Sequence, residues 1–123
     1  MDWWNNVRLR SGDARTRRKV IESIDPERGI APATFELLAA GLEDKEAQVR
    51  AAAAKVLGAI QNDRSAELLI PRLRDASTEV RQAVAVALGR LGDGRAAASV
   101  AAALHDVSAE VRHAAACALR SLG

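Results

Sequence analysis

Three stretches of the chain repeat one pattern at a fixed spacing of 31 residues. QVRAAAAKVLGAIQN begins at Gln48, EVRQAVAVALGRLGD at Glu79 and EVRHAAACALRSLG at Glu110. A period of this size is typical of chains built from stacked units, in which each unit buries its apolar face against its neighbours. The repeat therefore predicts a stack of similar units.

Each unit also repeats a shorter segment ahead of this pattern. The same 31-residue spacing relates Leu38, Leu69 and Val100, and likewise Asp44, Asp75 and Asp106. In the second half of the middle unit the apolar residues follow the spacing of one buried helical stripe. They are Val80, Ala83, Val84, Ala87, Leu88 and Leu91. Each unit is therefore predicted to be two helices joined by a tight turn.

Local signals mark the ends of these helices. Ser77 and Ser108 stand where an N-cap hydroxyl accepts a hydrogen bond from a first-turn amide. Gly92 is expected in the left-handed conformation that ends a helix, and Asn62 and Asp93 are expected to cap the helices that follow them. Pro71 removes one amide inside a first helix, and we expect it to bend that helix rather than end it.

The recurring motif D-x4-V-R-x-A-A-x-A-L-G-x-L, followed by a Gly-Asp or Asn-Asp turn, resembles the short HEAT-like repeat named after phycobilisome lyases. The resemblance covers residues 32–123. It implies an all-α fold, a right-handed α-α superhelix (HEAT-like solenoid) of about four helical hairpins, whose second helices line the concave side. The same unit resembles parts of bilin lyases, deoxyhypusine hydroxylases and DNA-repair glycosylases, so it implies little about function.

We expect one solenoid domain over residues 1–123, with repeats at 32–62, 63–93 and 94–123. Residues 1–31 form a degenerate capping unit and loop in this interpretation. Aligning KVIESI at 19–24 with KVLGAI at 55–60 gives an offset of 36 residues and predicts a second helix over 13–24. Trp3 to Leu9 then form a shortened first helix, and Trp3, Trp4 and Val7 form a lid over the exposed core.

Composition excludes several classes of protein. Charged residues make up 28% of the chain with both signs interspersed, which argues against a disordered chain. No apolar run approaches the roughly 20 residues that span a bilayer, and the first residues lack the apolar centre of a signal peptide, so we expect a cytoplasmic protein. Cys117 is the only cysteine, which excludes an internal disulfide and a cysteine-rich zinc site.

Positive charge is concentrated at the N-terminus. The net charge is +2 overall but +4 over the first 19 residues, which contain six cations and only two acids, Asp2 and Asp13. The cations are Arg8, Arg10, Arg15, Arg17, Arg18 and Lys19. This end of the chain is a candidate for contact with an acidic partner.

An arginine column runs through the repeats, each arginine six residues after an aspartate. Its members are Asp44 with Arg50, Asp75 with Arg81, and Asp106 with Arg112. A row of arginines is a candidate phosphate-binding ladder. In the resembled family, however, these columns form an Asp–Arg ladder between neighbouring turns, and a paired guanidinium is poorly available for phosphate. We expect a structural role, so that replacing Arg81 lowers stability before it lowers binding.

Metal ligands do not recur through the repeats. His105 with Asp106 resembles the His-Glu pairs that bind iron in deoxyhypusine hydroxylase, but Arg74 and Glu43 occupy the equivalent positions of the other units. A metal needs several converging ligands, so we expect no metal and no cofactor.

No motif nominates an enzyme either. Cys117 follows His113 by one helical turn, a spacing at which a histidine can activate a thiol, but Lys55 and Val86 occupy the cysteine's column in the other units. We therefore interpret Cys117 as a tolerated small side chain. Because no phosphate loop or Ser/His/Asp set is present, we expect a protein without catalytic activity.

The remaining candidate site is the face of each second helix opposite its buried stripe. Projection at about 100° per residue places small residues there, namely Ala51, Ala54, Gly58, Ala85, Gly89 and Ala116. It also places there the candidate partner-binding residues, which are Arg15, Arg18, Lys19, Lys55, Gln82, Val86, His113, Cys117 and Arg120. This face runs from basic at the N-terminal end through apolar to mildly basic.

These observations favour a non-enzymatic protein-interaction scaffold whose concave face binds a helix or peptide with an acidic end. Nucleic-acid binding through the basic N-terminal end and a bilin-lyase-like chaperone remain alternatives. Self-association through the uncapped C-terminal face, or a chain that is part of a longer solenoid and binds nothing tightly by itself, also remain open.

Overall fold

A computed structural model describes residues 12–28 and 30–122 of the chain. The expected lid of Trp3, Trp4 and Val7 and the expected first helix from Trp3 to Leu9 lie outside these residues. The described residues are helical throughout, with short turns between the helices and no strand among them.

Seven α-helices follow one another in the described ranges, and three short 3₁₀ helices accompany the first helices of the middle and last units. The α-helices are α1 (Ala14–Glu22), α2 (Pro32–Gly41), α3 (Ala47–Ala59), α4 (Asp63–Leu69), α5 (Thr78–Leu91), α6 (Ala97–Ala102) and α7 (Ala109–Leu122). The 3₁₀ helices are Ile70–Arg74, Gly94–Ala96 and Ala103–His105. No helix in the described part of the chain is long and apolar enough to cross a membrane.

The helices form hairpins that stack into a right-handed α-α superhelix. α2 pairs with α3, α4 with α5 and α6 with α7, while the second helices α1, α3, α5 and α7 lie side by side in that order. Repeated apolar columns fill the space between the two layers: Val49, Val80 and Val111 are fully buried, and so are Leu38, Leu69 and Val100. Burial of these columns against neighbouring units is the main source of stability, as the repeat predicts.

In the middle and last units, the first helix changes from α to 3₁₀ geometry near its C-terminal end. In the middle unit the change occurs at Ile70, one residue before Pro71, so the proline neither ends the segment nor simply bends it. The last unit has no proline, yet Ala103–His105 is also a 3₁₀ helix. The change from α to 3₁₀ geometry therefore does not require proline. In both units the 3₁₀ helix ends directly before the aspartate of the tight turn.

The two serines predicted as N-caps differ: Ser108 is confirmed, since its hydroxyl oxygen accepts a 3.4 Å hydrogen bond from the first-turn amide of Val111, but Ser77 is not. Ser77 is the N-cap residue of α5, but its side chain makes no capping hydrogen bond. Instead, the Asp75 carboxylate accepts a hydrogen bond of 2.9 Å from the backbone amide of Ser77. The predicted end of α5 is confirmed, since Gly92 has φ +67°. Asn62 is confirmed as a cap, accepting a 2.9 Å hydrogen bond from the Arg64 amide.

The N-terminal unit aligns with the repeats at a different offset from the expected one. α1 begins at Ala14 and α3 at Ala47, which are 33 residues apart rather than 36. The expected second helix is present, but it ends at Glu22 and is about one turn shorter than α3. The matching letters KVIESI and KVLGAI therefore mislead, because the missing turn lies at the end of α1 and not before it.

Two glycines set the spacing between the second helices. A Cβ atom at Gly58 in α3 would lie 2.6 Å from Cβ and 2.8 Å from Cα of Ala87 in α5. A Cβ atom at Gly89 in α5 would similarly lie 2.9 Å from Cα of Ala118 in α7. These distances are below van der Waals contact, so the helix backbones can approach this closely only with glycine at the contact.

Replacing Gly58 with alanine is expected to destabilise the protein, although alanine is the better helix former. The clash with Ala87 forces two packed helices apart, and we expect the free energy of unfolding to fall by about 1–3 kcal/mol in urea denaturation. Gly94→Ala is the control, because a Cβ atom there would meet nothing within 4 Å. A Gly58→Ala variant as stable as the control would show that this contact does not determine the helix spacing.

Candidate functional site on the second helices

The candidate partner-binding residues all lie on the second helices. Arg15, Lys19, Lys55, Gln82, Val86, His113, Cys117 and Arg120 are exposed, and Arg18 is half-buried. We call the surface formed by these nine residues the second-helix face. It spans all four second helices of the described structure. The residue types on this face differ from unit to unit, whereas the buried columns are apolar in every unit.

The small residues expected on this face are mostly not part of it. Ala51, Ala54 and Ala85 are between 0% and 2% exposed, and Gly58 is also buried. The projection considered each helix alone, whereas the close contacts at the glycines bury a second strip of each helix against the next one. Ala116 in α7 is exposed, because no further helix of the described structure covers that strip. The second-helix face is therefore narrower than expected.

An apolar cavity opens on the face between α5 and α7. Its volume is about 200 Å³, and its lining includes Val86, Gly89, Ala114 and Ala118. Val86 is 47% exposed, which is unusual for a large apolar side chain in this protein. The cavity is large enough to accept one aliphatic side chain of a partner.

Arginine and cysteine side chains surround this cavity. Arg90 from α5 and Cys117 from α7 line it. The Cys117 Sγ atom lies 3.7 Å from His113 Nε2 and 3.7 Å from an Arg120 guanidinium nitrogen. The apolar cavity is thus surrounded by groups that favour a negatively charged partner.

The N-terminal end of the face carries exposed positive charge on α1. Arg15 and Lys19 are exposed. Arg18 is more constrained, because its guanidinium lies 3.3 Å from Glu22 and donates a 3.2 Å hydrogen bond to the Gln48 side chain. Arg15 and Lys19 are therefore the cations of α1 most available to a partner.

The arginine column joins each unit to the next. The Arg50 guanidinium donates hydrogen bonds of 2.9 and 3.0 Å to the two carboxylate oxygens of Asp75 in the following unit. Its third nitrogen donates a 2.8 Å bond to the backbone carbonyl of Asp44 in its own unit. Arg81 repeats the arrangement with Asp106, at 2.9 and 3.3 Å. These guanidinium groups are occupied within the protein and are poorly available for phosphate.

The N-terminal unit contributes a further rung that sequence reasoning missed. Arg17 donates hydrogen bonds of 2.7 and 3.0 Å to the Asp44 carboxylate and is only 6% exposed. The signal was its position, since Arg17 follows its N-cap residue Asp13 by four residues, as Arg50 follows Glu46. Arg17 therefore does not belong to the accessible basic surface proposed for nucleic acid. Arg8 and Arg10 lie outside the described residues.

The last arginine of the column has no following aspartate in the described structure. Arg112 donates hydrogen bonds of 2.8 and 3.2 Å to the carbonyls of Asp106 and Val107. Its contact with its own unit is thus like that of Arg50 and Arg81. Among residues 12–28 and 30–122 it pairs with no carboxylate.

The Arg–Asp pairs between neighbouring units, which are the rungs of the ladder, shift the pKa values of the aspartates. Partial burial acts to raise the pKa of Asp75, but hydrogen bonds from Arg50 and the Ser77 amide outweigh it and hold the pKa below its ordinary value. The pKa of Asp44 is lowered in the same way, with the bond from Arg17 opposing burial. Because the folded-state pKa values are depressed, these groups stabilise the protein above the unfolded pKa of about 3.9. That stability is lost as pH falls through the folded-state values.

Asp75→Asn should therefore lower the free energy of unfolding by about 1–3 kcal/mol at pH 7, because the Arg50 guanidinium loses its charged partner. The difference from the parent chain should shrink as pH falls below about 4, because Asp75 is then protonated first in the unfolded chain and, at lower pH, in the folded protein. Denaturant titrations at several pH values measure this dependence. Glu27→Gln, at an exposed loop carboxylate, is the control and should change little. A difference that stays constant as pH falls would contradict an ionic rung.

The described residues form neither a metal-binding cluster nor an exposed aromatic surface on which bases could stack. In residues 12–28 and 30–122, no group of three or more His, Cys, Asp and Glu side chains could hold a metal ion. Phe35, the aromatic residue within these ranges, is 3% exposed and lies under the Arg64 guanidinium, 5.1 Å from the ring centroid. It is therefore inaccessible to a nucleic-acid base.

Comparison with protein families agrees with this geometry. A family model of HEAT repeats matches residues 6–77 and 35–120, which together include most of the chain. The chain belongs to the HEAT repeat family. No curated protein sequence matches it.

Solved structures of HEAT-like proteins are similar over much of the chain. In the complex of CpcE and CpcF of phycocyanin lyase from Nostoc sp. PCC7120, the match has a TM-score of 0.84 and 25% identity and covers 97% of this chain. Human deoxyhypusine hydroxylase in complex with glycerol matches 85% of this chain with a TM-score of 0.70 and 23% identity, which shows the fold alone. The chain spans about half of the lyase chain (52%) and 35% of the hydroxylase chain.

Proposed function

We propose that the protein is a non-enzymatic interaction module that binds a helix or peptide of another protein on its second-helix face, the concave side of the superhelix. The observation that carries the proposal is Val86, which is 47% exposed beside an apolar cavity of about 200 Å³. An exposed apolar anchor point with a depression beside it is typical of helix and peptide recognition.

The charges around this cavity indicate the chemistry of the partner. Lys55, Arg90 and Arg120 are exposed on neighbouring second helices, and Arg15 and Lys19 are exposed on α1. A segment with an apolar residue for the cavity and carboxylates directed toward α1 and α3 would complement this arrangement. Such charges contribute mainly to association rate and to the choice of partner.

The comparisons support a protein as the partner. HEAT repeats build extended surfaces from stacked units, and the similar lyase structure is itself a complex of two proteins. Nucleic acid is a weaker candidate, because Arg17 is buried in a rung with Asp44 and Phe35 is covered. A non-catalytic role is favoured by the setting of Cys117, since its contacts with His113 and Arg120 lie on an open surface rather than in an enclosed site that excludes water.

A variant carrying Gln82→Glu, Val86→Glu and His113→Glu should lose its protein partner in a nuclease-treated pull-down from source lysate. The three carboxylates block the cavity region and oppose an acidic segment. The matched control is Ala33→Glu, Gln61→Glu and Ala98→Glu, which adds three exposed acids outside the second-helix face. Circular dichroism must show both variants folded. A partner retained by both variants, or lost from both, would contradict binding through the second-helix face.

A bilin-lyase-like chaperone is a second candidate, favoured by the TM-score of 0.84 with a phycocyanin lyase complex. Because the chain spans about half of that lyase chain, its activity does not transfer directly. Purification of the protein with a chromophore that absorbs visible light would support this candidate. Colourless protein after addition of a free bilin and gel filtration would reject it.

A further inference from the structure

A larger cavity lies away from the second-helix face, between the last two first-helix segments. Its volume is about 540 Å³, and we call it the inter-repeat cavity. One side is formed by the end of the middle unit's first helix, including Ile70, Pro71 and Arg74. The other side is formed by Ser99, Ala103 and His105 of the last unit, with the Arg81–Asp106 rung at its base.

The cavity exists because the last unit lacks two large side chains. Ser99 and Ala103 stand one period after Leu68 and Arg72. In the preceding pair of units, Arg72 reaches across the equivalent gap and lies 3.5 Å from Glu43. Ala103 cannot reach across, and Arg74 occupies the position equivalent to Glu43. The ionic bridge of one junction is thus replaced by open space and a cation at the next.

The charged groups around the inter-repeat cavity are not equally available. Asp106 pairs with Arg81 at 2.9 Å, and Asp75 pairs with Arg50 at 2.9 Å, so these carboxylates are neutralised within the ladder. The side chains of Arg74 and His105 are exposed and make no hydrogen bond or ion pair with a residue in the ranges 12–28 and 30–122. The uncommitted groups at the opening are therefore a guanidinium and an imidazole.

Apolar surface lies next to these groups. Ile70, Leu73 and Ala103 line the same cavity as Arg74. A guanidinium beside an apolar wall suits a molecule with a carboxylate at one end and a short aliphatic body.

We propose that the inter-repeat cavity binds a small organic acid, whose carboxylate pairs with Arg74 while its aliphatic body covers Ile70, Leu73 and Ala103. The carboxylate lies opposite Arg74 in the place that the Arg72 guanidinium takes opposite Glu43 in the preceding junction, so the pair is the same with its charges reversed. Because Arg74 is exposed, the ion pair contributes modestly, and a dissociation constant on the order of 1 mM is expected for a short fatty acid.

The test is a titration of the full chain followed by amide ¹H–¹⁵N NMR, with hexanoate as the probe. Hexanoate should cause saturable shifts at the amides of Arg74, Ser99 and His105. Hexan-1-ol has the same body without the charge, and inorganic phosphate has charge without the body, so both should bind at least about fivefold more weakly. Equal affinity for hexanol or for phosphate would overturn the proposal, as would the absence of saturable shifts.

Two variants test the assignment to this cavity. Arg74→Gln removes the charge and should weaken hexanoate binding at least about fivefold. The double variant Arg74→Glu with Ala103→Arg recreates the Glu43–Arg72 bridge and should abolish binding, while thermal unfolding shows that it is folded. Hexanoate binding unchanged in Arg74→Gln would overturn the proposal even if the double variant fails to fold. Val86→Glu should leave hexanoate binding intact, so failure of the second-helix face and failure of this cavity are distinguishable.

Discussion

The structure depends on an arginine that bonds to two units at once. Arg50 binds the backbone carbonyl of Asp44 in its own tight turn and the carboxylate of Asp75 in the next. The same Asp75 carboxylate accepts the amide of Ser77 at the start of α5. The Arg50 side chain therefore stabilises its own tight turn and fixes the position of the next unit. Through Asp75 it also contacts the start of the following helix. A 31-residue unit cannot bury its own core, so this registration determines how every apolar column meets its neighbour.

The registration also determines which surfaces are left for a ligand. Where glycine lies opposite alanine, as at Gly58 and Ala87, the second helices approach so closely that a second strip of each helix is buried. Only one narrow strip of α3 and of α5 remains exposed, and it includes Lys55, Gln82 and Val86. Packing thus restricts recognition to positions whose residue type is not constrained by the core. The inter-repeat cavity follows from the same rule, because it opens where side chains that fill the preceding junction are missing.

Much of the architecture could be predicted from the sequence, because a stacked solenoid makes the same contacts in every unit. The columns Val49, Val80 and Val111 are buried as their helical spacing predicts. Gly92 could be predicted because a positive φ strongly selects glycine. The capping role predicted for Ser77 was wrong, since its side chain makes no capping hydrogen bond, whereas the same prediction for Ser108 is confirmed.

The site was harder to predict, because it depends on distances between helices. A projection of a single helix cannot show that Ala54 and Ala85 are covered by a neighbour, so the expected face was too wide. Arg17 was assigned to a basic surface by composition, yet its partner Asp44 lies 27 residues away in the chain.

The most direct measurement of the central claim is photo-crosslinking in source lysate from p-benzoylphenylalanine placed at Val86, compared with the same residue at Ala98. The account predicts a single crosslinked protein, attached through a segment rich in Asp and Glu, from position 86 and none from position 98. Crosslinks of equal yield from both positions, or from position 98 alone, would contradict recognition by the second-helix face.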